Sequence, residues 1–215
     1  LLFRHVHQYG ELVYVIGGWA GPSGITLAAD LLSSIMVLLT TGLFFMFILY
    51  NFRRPYVRNM FYTLFFILQS LLLALFLSTD LFNIYVLIEV STIVVTLLIL
   101  FKKEKRSVYD GLIYLMINII AMSFFLLGLG MIYRLTGVLD FATLKERIPQ
   151  IEPRQLILPC ALMISAAALK ASVFPLFSWL PKAHGTPGAP SVVSAVLSGL
   201  YVKAGIYLLI RLQTL

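Results

Sequence analysis

The sequence predicts an all-α polytopic membrane protein, and three observations support this fold class. The 215 residues are 60% hydrophobic, and their mean hydropathy is +0.97. Charged residues make up 12% of the chain, about half of the ~25% that a soluble domain carries. The apolar residues form continuous runs, whereas the strands of membrane β-barrels alternate apolar and polar residues. Too little polar surface remains to cover a core, so lipid must solvate much of the chain.

Six apolar segments are long enough to cross a bilayer, which takes about 20 helical residues. After an extracytoplasmic loop at 1–24, we predict a transmembrane bundle at 25–215 with spans at about 25–50, 60–78, 81–101, 108–133, 156–180 and 190–212. Pro55 and the polar stretch 80–83 are typical of turns between spans. The stretch DFATLKER at 140–147 predicts a short interfacial helix that Asp140 caps.

The placement of the basic residues argues against nucleic-acid binding, despite a net charge of +7. Basic residues that bind phosphates line one face of a folded domain, whereas here they form short clusters between apolar runs. Six spans put eight of the sixteen Lys and Arg residues on one side of the membrane and six on the other. We assign the denser set to the cytoplasm: Arg53, Arg54, Arg58, Lys102, Lys103, Lys105, Arg106 and Lys182. The pattern predicts a multi-pass protein of a prokaryotic cell (inner/plasma) membrane.

Motifs for cofactor chemistry are absent from the sequence. Cys160 is the only cysteine, which excludes an intramolecular disulfide and a cysteine-based metal cluster. Glycine-rich nucleotide loops, zinc-ligand spacings and catalytic triads are missing, so we expect no cofactor and no metal. The chain starts at Leu1 and stops directly after an apolar run, so we expect a fragment cut at both ends.

Three ionisable residues lie deep within predicted spans: Glu89, Lys170 and Lys203. A charge at mid-membrane costs about 2.5–3.5 kcal/mol on insertion scales, and such residues mark ion paths by default. We therefore predict that the three residues form a proton path. The alternative is a buried ion pair between Glu89 and a lysine that only holds two helices together.

Pro175 lies five residues after Lys170 and predicts a broken helix beside it. Proline lacks an N–H and clashes with the carbonyl four residues earlier, so water or a side chain must satisfy the freed backbone groups. His184, in the loop after this span, titrates near neutral pH and is a further candidate for the path. Lys203 lies about 140° from Ser198 around an ideal α-helix, so we expect the nearby serines, Ser191, Ser194 and Ser198, to serve packing.

The stretch ALKASVFPLFSWLPKAHGTPGAPSVVSAVLSGLYVKAGIYLLIR resembles a family signature. It is similar to that of the antiporter-like proton-conducting subunits shared by respiratory complex I, membrane-bound hydrogenases and Mrp-type cation/proton antiporters. The upstream stretches IGGWAGPSGITLAADLLSSIMV and STDLFNIYVLIEV look most like the D subunit of the Mrp group. The GTPGAPS sequence after His184 departs from the pattern common in complex I, which weakens a complex I assignment.

The resemblance implies about fourteen transmembrane helices, with two inverted five-helix repeats that each contain a discontinuous helix. The spans from 60 to 212 would then form one repeat, with 156–180 as its broken helix, and the second repeat is missing. The resemblance also implies that Glu89 pairs with Lys170 and that Lys203 passes the proton on.

The expected function is proton translocation by a subunit of a multisubunit Na⁺/H⁺ antiporter. Its expected partners are other subunits of a hetero-oligomeric complex, the lipid bilayer, H⁺ and Na⁺. The first alternative is a proton-pumping membrane subunit of NADH:quinone oxidoreductase or of a membrane-bound hydrogenase, with the redox chemistry on other subunits. The second alternative is a structural assembly subunit that conducts nothing. The chain is expected to be a transporter by itself, or a translocase subunit of an NADH:quinone oxidoreductase-type complex.

Overall fold

The protein is a bundle of long apolar helices in the computed structural model, which describes residues 1–18, 24–52, 54, 59–186 and 189–215. Among these residues, five helices are long and apolar enough to cross a membrane, and the predicted all-α polytopic fold is confirmed. Pro55, Arg53 and Arg58 lie outside the described residues. In chain order the elements are α1 (Leu2–Tyr9), β1 (Leu12–Val15), β2 (Thr26–Ala29), α2 (Leu31–Asn51), α3 (Asn59–Leu77), α4 (Leu81–Ile99), α5 (Lys105–Thr136), α6 (Phe141–Arg147), α7 (Pro153–Lys170), α8 (Trp179–Gly185) and α9 (Ser191–Gln213).

The first span begins later than the sequence predicted. Residues 26–29 form β2 instead of helix and pair antiparallel with β1, with Leu12 opposite Ala29. The helix starts at Leu31 because Asp30 and Ser33 form a capping box: Ser33 N donates to Asp30 Oδ1, and Asp30 N donates to Ser33 Oγ, both at 2.8 Å. The predicted helix start at residue 25 is therefore wrong, since a short apolar run fits either a strand or a helix, and the loop predicted at 1–24 contains α1 and β1.

Backbone hydrogen bonds tie several loops together at one end of the bundle. Thr79 N donates to Thr26 O at 3.2 Å, and Phe141 N donates to Thr79 O at 2.9 Å. Asp140 caps α6 by accepting a hydrogen bond from Thr143 N at 2.8 Å, which confirms the short helix predicted at 140–147. These bonds join β2, the α3–α4 connection and the start of α6.

Helix α5 lies directly against α7 along much of its length. A Cβ added at Gly128 of α5 would lie 2.7 Å from Pro159 O of α7, so only glycine allows this approach. Facing outward, side chains such as Phe45, Met46 and Leu127 are exposed, as expected for a surface that lipid solvates.

The predicted span at 156–180 is broken into two helices. Helix α7 ends at Lys170 and α8 begins at Trp179, so the break predicted from Pro175 is present and begins beside the lysine. The chain itself satisfies carbonyls at the end of α7. Val173 N donates to Ala168 O at 3.0 Å, and the Trp179 indole N–H donates to Leu169 O at 2.9 Å. A side chain therefore takes the place that water would otherwise fill.

Candidate functional site

Lys170 is buried at the broken end of α7. Its side chain lies within the bundle, and the residue is 2% exposed. The ammonium donates to Thr92 Oγ1 of α4 at 2.6 Å and to the Tyr201 hydroxyl of α9 at 3.5 Å. It also lies 5.3 Å from the centre of the Tyr201 ring, within the range of a cation–π interaction. Two hydroxyl groups and an aromatic ring thus surround a charge that has been removed from water.

The hydroxyl groups around Lys170 are oriented by the backbone of α4. Ser91 Oγ and Thr92 Oγ1 both donate to Ile88 O, at 2.8 Å each. Because a hydroxyl carries a single proton, both oxygens are left as acceptors. The Tyr201 hydroxyl, at 3.1 Å from Ser91 Oγ and 2.8 Å from Thr92 Oγ1, is then the donor. The cluster presents acceptors to Lys170, which has only donors to offer when it is charged.

A π turn in α9 brings Tyr201 and Lys203 to their positions. The turn covers Leu197–Tyr201, where Val202 N donates to Leu197 O five residues earlier. Such a turn holds one extra residue and changes the face on which later side chains lie. Lys203 Nζ consequently reaches back to Ser198 O at 3.1 Å, although an ideal α-helix would separate the two residues by about 140°.

Glu89 is half-buried on α4, one turn before Thr92. Its carboxylate interacts electrostatically with Lys170, Tyr85 and Tyr114. The ion pairs in the described part of the chain are Arg106–Asp110 and Asp30–Arg211. The pairing of Glu89 with Lys170 that the family resemblance implied is therefore not formed in this structure, because the ammonium is bound to hydroxyl groups instead.

Lys203 lies within the long apolar helix Ser191–Gln213, as its place in the sequence predicted. Its side chain is exposed on the outer face of α9 among the described residues. His184 is also exposed and lies 2.6 Å from Ser194 Oγ through Nδ1. Ser198 Oγ in turn donates to Ser194 O at 3.2 Å. Ser194 and Ser198 thus form a polar row between His184 and Lys203, a set of contacts that the packing role expected for these serines did not include.

Little free volume remains beside Lys170. The cavity that its side chain lines, together with Ser91, Tyr201 and Gly205, measures about 10 Å³, which is at the lower limit for one water molecule. Gly205 closes one side of the site, since a Cβ there would lie 2.6 Å from the carbonyl carbon of Lys170. In this arrangement the contacts of the ammonium are made directly by the protein.

Several residues of the site were not found from the sequence. Thr92, Ser91 and Tyr201 hold Lys170 or its partners, and Tyr114 lies near Tyr201 and Thr92. The Tyr114 side chain is fully buried, and its hydroxyl lacks a hydrogen bond among the described residues. Helical spacing could have found Thr92, which follows Glu89 by three residues on the same face. Within the described ranges, there is no group of three or more His, Cys, Asp or Glu side chains that could hold a metal ion.

Residues 78–215, which include Glu89, Lys170 and Lys203, match the family model described as NADH:quinone oxidoreductase/Mrp antiporter, TM. The chain is 34% identical over 216 residues to a protein of Alkalihalophilus pseudofirmus that is named as the D subunit of a Na(+)/H(+) antiporter. That alignment covers 98% of this chain and 43% of the relative. The chain therefore spans less than half the length of this relative.

Two solved structures share the fold. The archaeal respiratory membrane complex named membrane-bound sulfane sulfur reductase contains a chain that matches with a TM-score of 0.89 at 30% identity, over 96% of this chain and 42% of that one. The Mrp complex from Dietzia sp. DQ12-45-1b contains one with a TM-score of 0.77 at 26% identity, over 94% of this chain and 38% of that one. The same helical arrangement thus occurs in an Mrp complex and in a respiratory complex.

Proposed function

The chain belongs to the NADH:quinone oxidoreductase/Mrp antiporter transmembrane family, and from this membership we propose that it translocates protons as a subunit of a monovalent cation/proton antiporter. The proposed exchanged cation is Na⁺, because a relative that is 34% identical is named as part of a Na(+)/H(+) antiporter. The protein is a multi-pass membrane protein, and its proposed location is the cell membrane of a prokaryote. Its proposed partners are the other subunits of such a complex.

The observation that carries this proposal is the burial of Lys170 at the break between α7 and α8. A charge out of water is unstable unless other groups compensate for it, and at Lys170 the hydroxyl groups of Thr92 and Tyr201 do so. In the proposed mechanism Lys170 carries the proton. When the Glu89 side chain, one turn from Thr92, approaches the ammonium, it changes the affinity of Lys170 for that proton.

The onward path is proposed to cross α9 at its π turn. Tyr201 contacts Lys170 on the inner side of α9, and Lys203 lies on the outer side with its ammonium on Ser198 O. Lys203 would receive the proton there, and the polar row from Ser198 through Ser194 to His184 offers a continuation. Pro175 contributes by keeping α7 and α8 apart.

The experiment measures cation-dependent proton exchange in vesicles that contain the protein assembled with its partner subunits. We expect Lys170→Ala to abolish exchange in complexes that still assemble, because the proton carrier is gone. Lys203→Gln should lower exchange without lowering stability, since its side chain is exposed. Lys182→Ala, an exposed lysine of α8, is the matched control. Undiminished exchange in assembled Lys170→Ala complexes would refute the proposal.

A redox-driven proton pump is the second candidate, favoured by the TM-score of 0.89 to a chain of an archaeal respiratory complex. In that case electron transfer on other subunits would drive the same proton path. The two functions separate in one assay. An antiporter exchanges protons when only a Na⁺ gradient is imposed, whereas a redox pump moves protons only when an electron donor and acceptor are supplied.

The third candidate, a structural subunit that conducts nothing, makes the opposite prediction from the first two. Glu89→Gln and Lys170→Ala would then change the yield of assembled complex, but transport per assembled complex would stay the same. Measuring both quantities on the same vesicles distinguishes the candidates.

A further inference from the structure

We propose that the hydroxyl groups of Thr92 and Tyr201 form a docking position for the Lys170 ammonium that competes with Glu89, and that both residues thereby position the lysine. This inference rests on the proposed function, in which Lys170 carries the proton. It adds a defined binding position for the charged lysine, one helical turn away from the Glu89 carboxylate.

The two competing partners lie on the same face of α4. Thr92 follows Glu89 by three residues, which is a rise of about 4.5 Å along the helix, and residues at this spacing are neighbours on a helix surface. In this structure the ammonium is at Thr92, 2.6 Å from Oγ1, while Glu89 interacts with it from farther away. In the proposed exchange, the long lysine side chain moves between the two groups by rotating its outer bonds.

Thr92 is prepared to accept a hydrogen bond from Lys170. Its own proton goes to Ile88 O at 2.8 Å, and the Tyr201 hydroxyl lies 2.8 Å away on the other side. A comparison with Thr96 shows that a buried threonine that donates to the backbone does not by itself bind Lys170. Thr96 is also buried and also donates to the carbonyl four residues earlier, Thr92 O at 2.8 Å, but the Lys170 ammonium is hydrogen-bonded to Thr92 and Tyr201.

The groups that face Lys170 come from four elements. Helix α3 supplies the apolar side chains of Leu72 and Leu75. Helix α4 supplies Glu89 along with Thr92 and Ser91, α5 supplies Tyr114, and α9 supplies Tyr201. Glu89 is the carboxyl group in this set, whereas the tyrosine, serine and threonine side chains offer hydroxyl groups. Removing the Thr92 hydroxyl should therefore move the ammonium toward Glu89.

The test compares Thr92→Val, which removes the acceptor at nearly constant volume, with Thr92→Ser, which keeps it. We expect Thr92→Val to shift the half-maximal pH of cation-dependent proton exchange upward by about one unit, because a carboxylate favours the charged lysine more than a hydroxyl does. Thr92→Ser should restore the normal profile, and Thr96→Val should leave it unchanged. Tyr201→Phe should shift it in the same direction as Thr92→Val by a smaller amount, since its contact is longer.

A second measurement does not require activity. Lysine labelled with ¹³C at Cε is introduced into the assembled protein, and the NMR signal that disappears in Lys170→Ala is titrated. Thr92→Val should raise the pH midpoint of this signal, whereas in a Glu89→Gln background the same substitution should lower it, because no carboxylate is left to replace the hydroxyl. The same sign in both backgrounds, or no shift in either, would overturn the inference.

The results for Thr92 test the docking position independently of whether the proposed function is correct. If Lys170→Ala retains full exchange, the proposed function fails whatever Thr92 does. If Lys170→Ala loses exchange but Thr92→Val titrates like the unmodified protein, only the docking position is refuted.

Discussion

Gly205 of α9 packs so closely on Ala171 that an added Cβ would lie 2.4 Å from the Ala171 amide nitrogen. The neighbouring atoms are backbone, which cannot move aside as the end of a flexible side chain can. The contact lies at the break after Lys170, and Tyr201 is one turn earlier on α9. The position of Tyr201 beside Lys170 therefore depends on this backbone-to-backbone contact.

The first prediction concerns Gly205→Ala. We expect it to destabilise the protein by about 1–3 kcal/mol or more, as overpacking does in a close-packed interior, and to lower proton exchange by displacing Tyr201. Thermal unfolding in detergent measures the stability. Gly130→Ala is the control, because a Cβ at Gly130 of α5 meets nothing within 4 Å. Equal stability of the two variants would contradict the close contact.

A second contact fixes the far end of α9. Arg211 binds Asp30 through two hydrogen bonds, Nη1 to Oδ2 at 2.6 Å and Nη2 to Oδ1 at 2.8 Å. Arg211 Nε also donates to the Tyr207 hydroxyl at 2.8 Å, and that hydroxyl donates to Phe76 O at 2.7 Å. This chain of contacts ties α9 to the start of α2 and to α3.

The second prediction is that Arg211→Lys lowers the free energy of unfolding by about 1 kcal/mol, because lysine cannot form the two parallel bonds. The value is modest because the Arg211 and Asp30 side chains are 18% and 33% exposed, and solvent weakens exposed pairs. Unfolding of Arg211→Lys measures this loss, and Arg211→Met, Asp30→Asn and the double variant form a cycle that isolates the pair. A coupling energy of zero would show that the pair contributes nothing.

The third prediction is a pH dependence from the same pair. Burial alone would raise the pKa of Asp30, but hydrogen bonds from Arg211 and Ser33 and the charge of Arg211 outweigh it and lower this pKa from 3.8 to about 2. A lowered pKa in the folded state means that the stabilisation is complete above about pH 4 and is lost as the pH falls toward 2. Unfolding midpoints between pH 2 and 5 should show this loss, and Asp30→Asn should not show it.

The fourth prediction concerns the cap on the broken helix. Trp179→Phe keeps a ring next to Tyr114, whose centroid lies 5.4 Å away, but removes the N–H bonded to Leu169 O. We expect a loss of about 0.5–1.5 kcal/mol and faster hydrogen exchange at 171–178. Phe177→Leu, at an exposed position of the same interruption, serves as the control. Unchanged exchange in Trp179→Phe would mean that the indole does not hold the break in place.

The helices and the buried lysine could be predicted from the sequence because both depend on local pattern. Apolar runs of sufficient length indicate spans, and a charge in such a run together with Pro175 indicates a break. The start of α2 could not be predicted in this way, because residues 26–29 are apolar and the pairing of β2 with β1 decides their conformation. That pairing joins residues distant in sequence, so a local pattern does not contain it.

The partners of Lys170 were not predictable for a similar reason. Thr92 and Tyr201 are ordinary polar residues within apolar spans, and which hydroxyl faces the lysine depends on how α4, α7 and α9 pack. The contact between Lys203 and Ser198 was not predicted because an α-helical wheel assumes constant rotation per residue. The π turn at Leu197–Tyr201 breaks that assumption, so the polar row that includes Ser198 can be identified only from the three-dimensional structure.

The extra residue of the π turn sets the rotational phase of everything that follows it in α9. Gly205, Tyr207 and Arg211 each make a contact that depends on their angle around the helix, and all three lie after the turn. Without the extra residue, the helix would turn by about 100° from that point on. The glycine would then no longer face Ala171, and the arginine would no longer face Asp30. The one extra residue at Leu197–Tyr201 therefore lets the parts of α9 before and after the turn each face their own neighbouring residues.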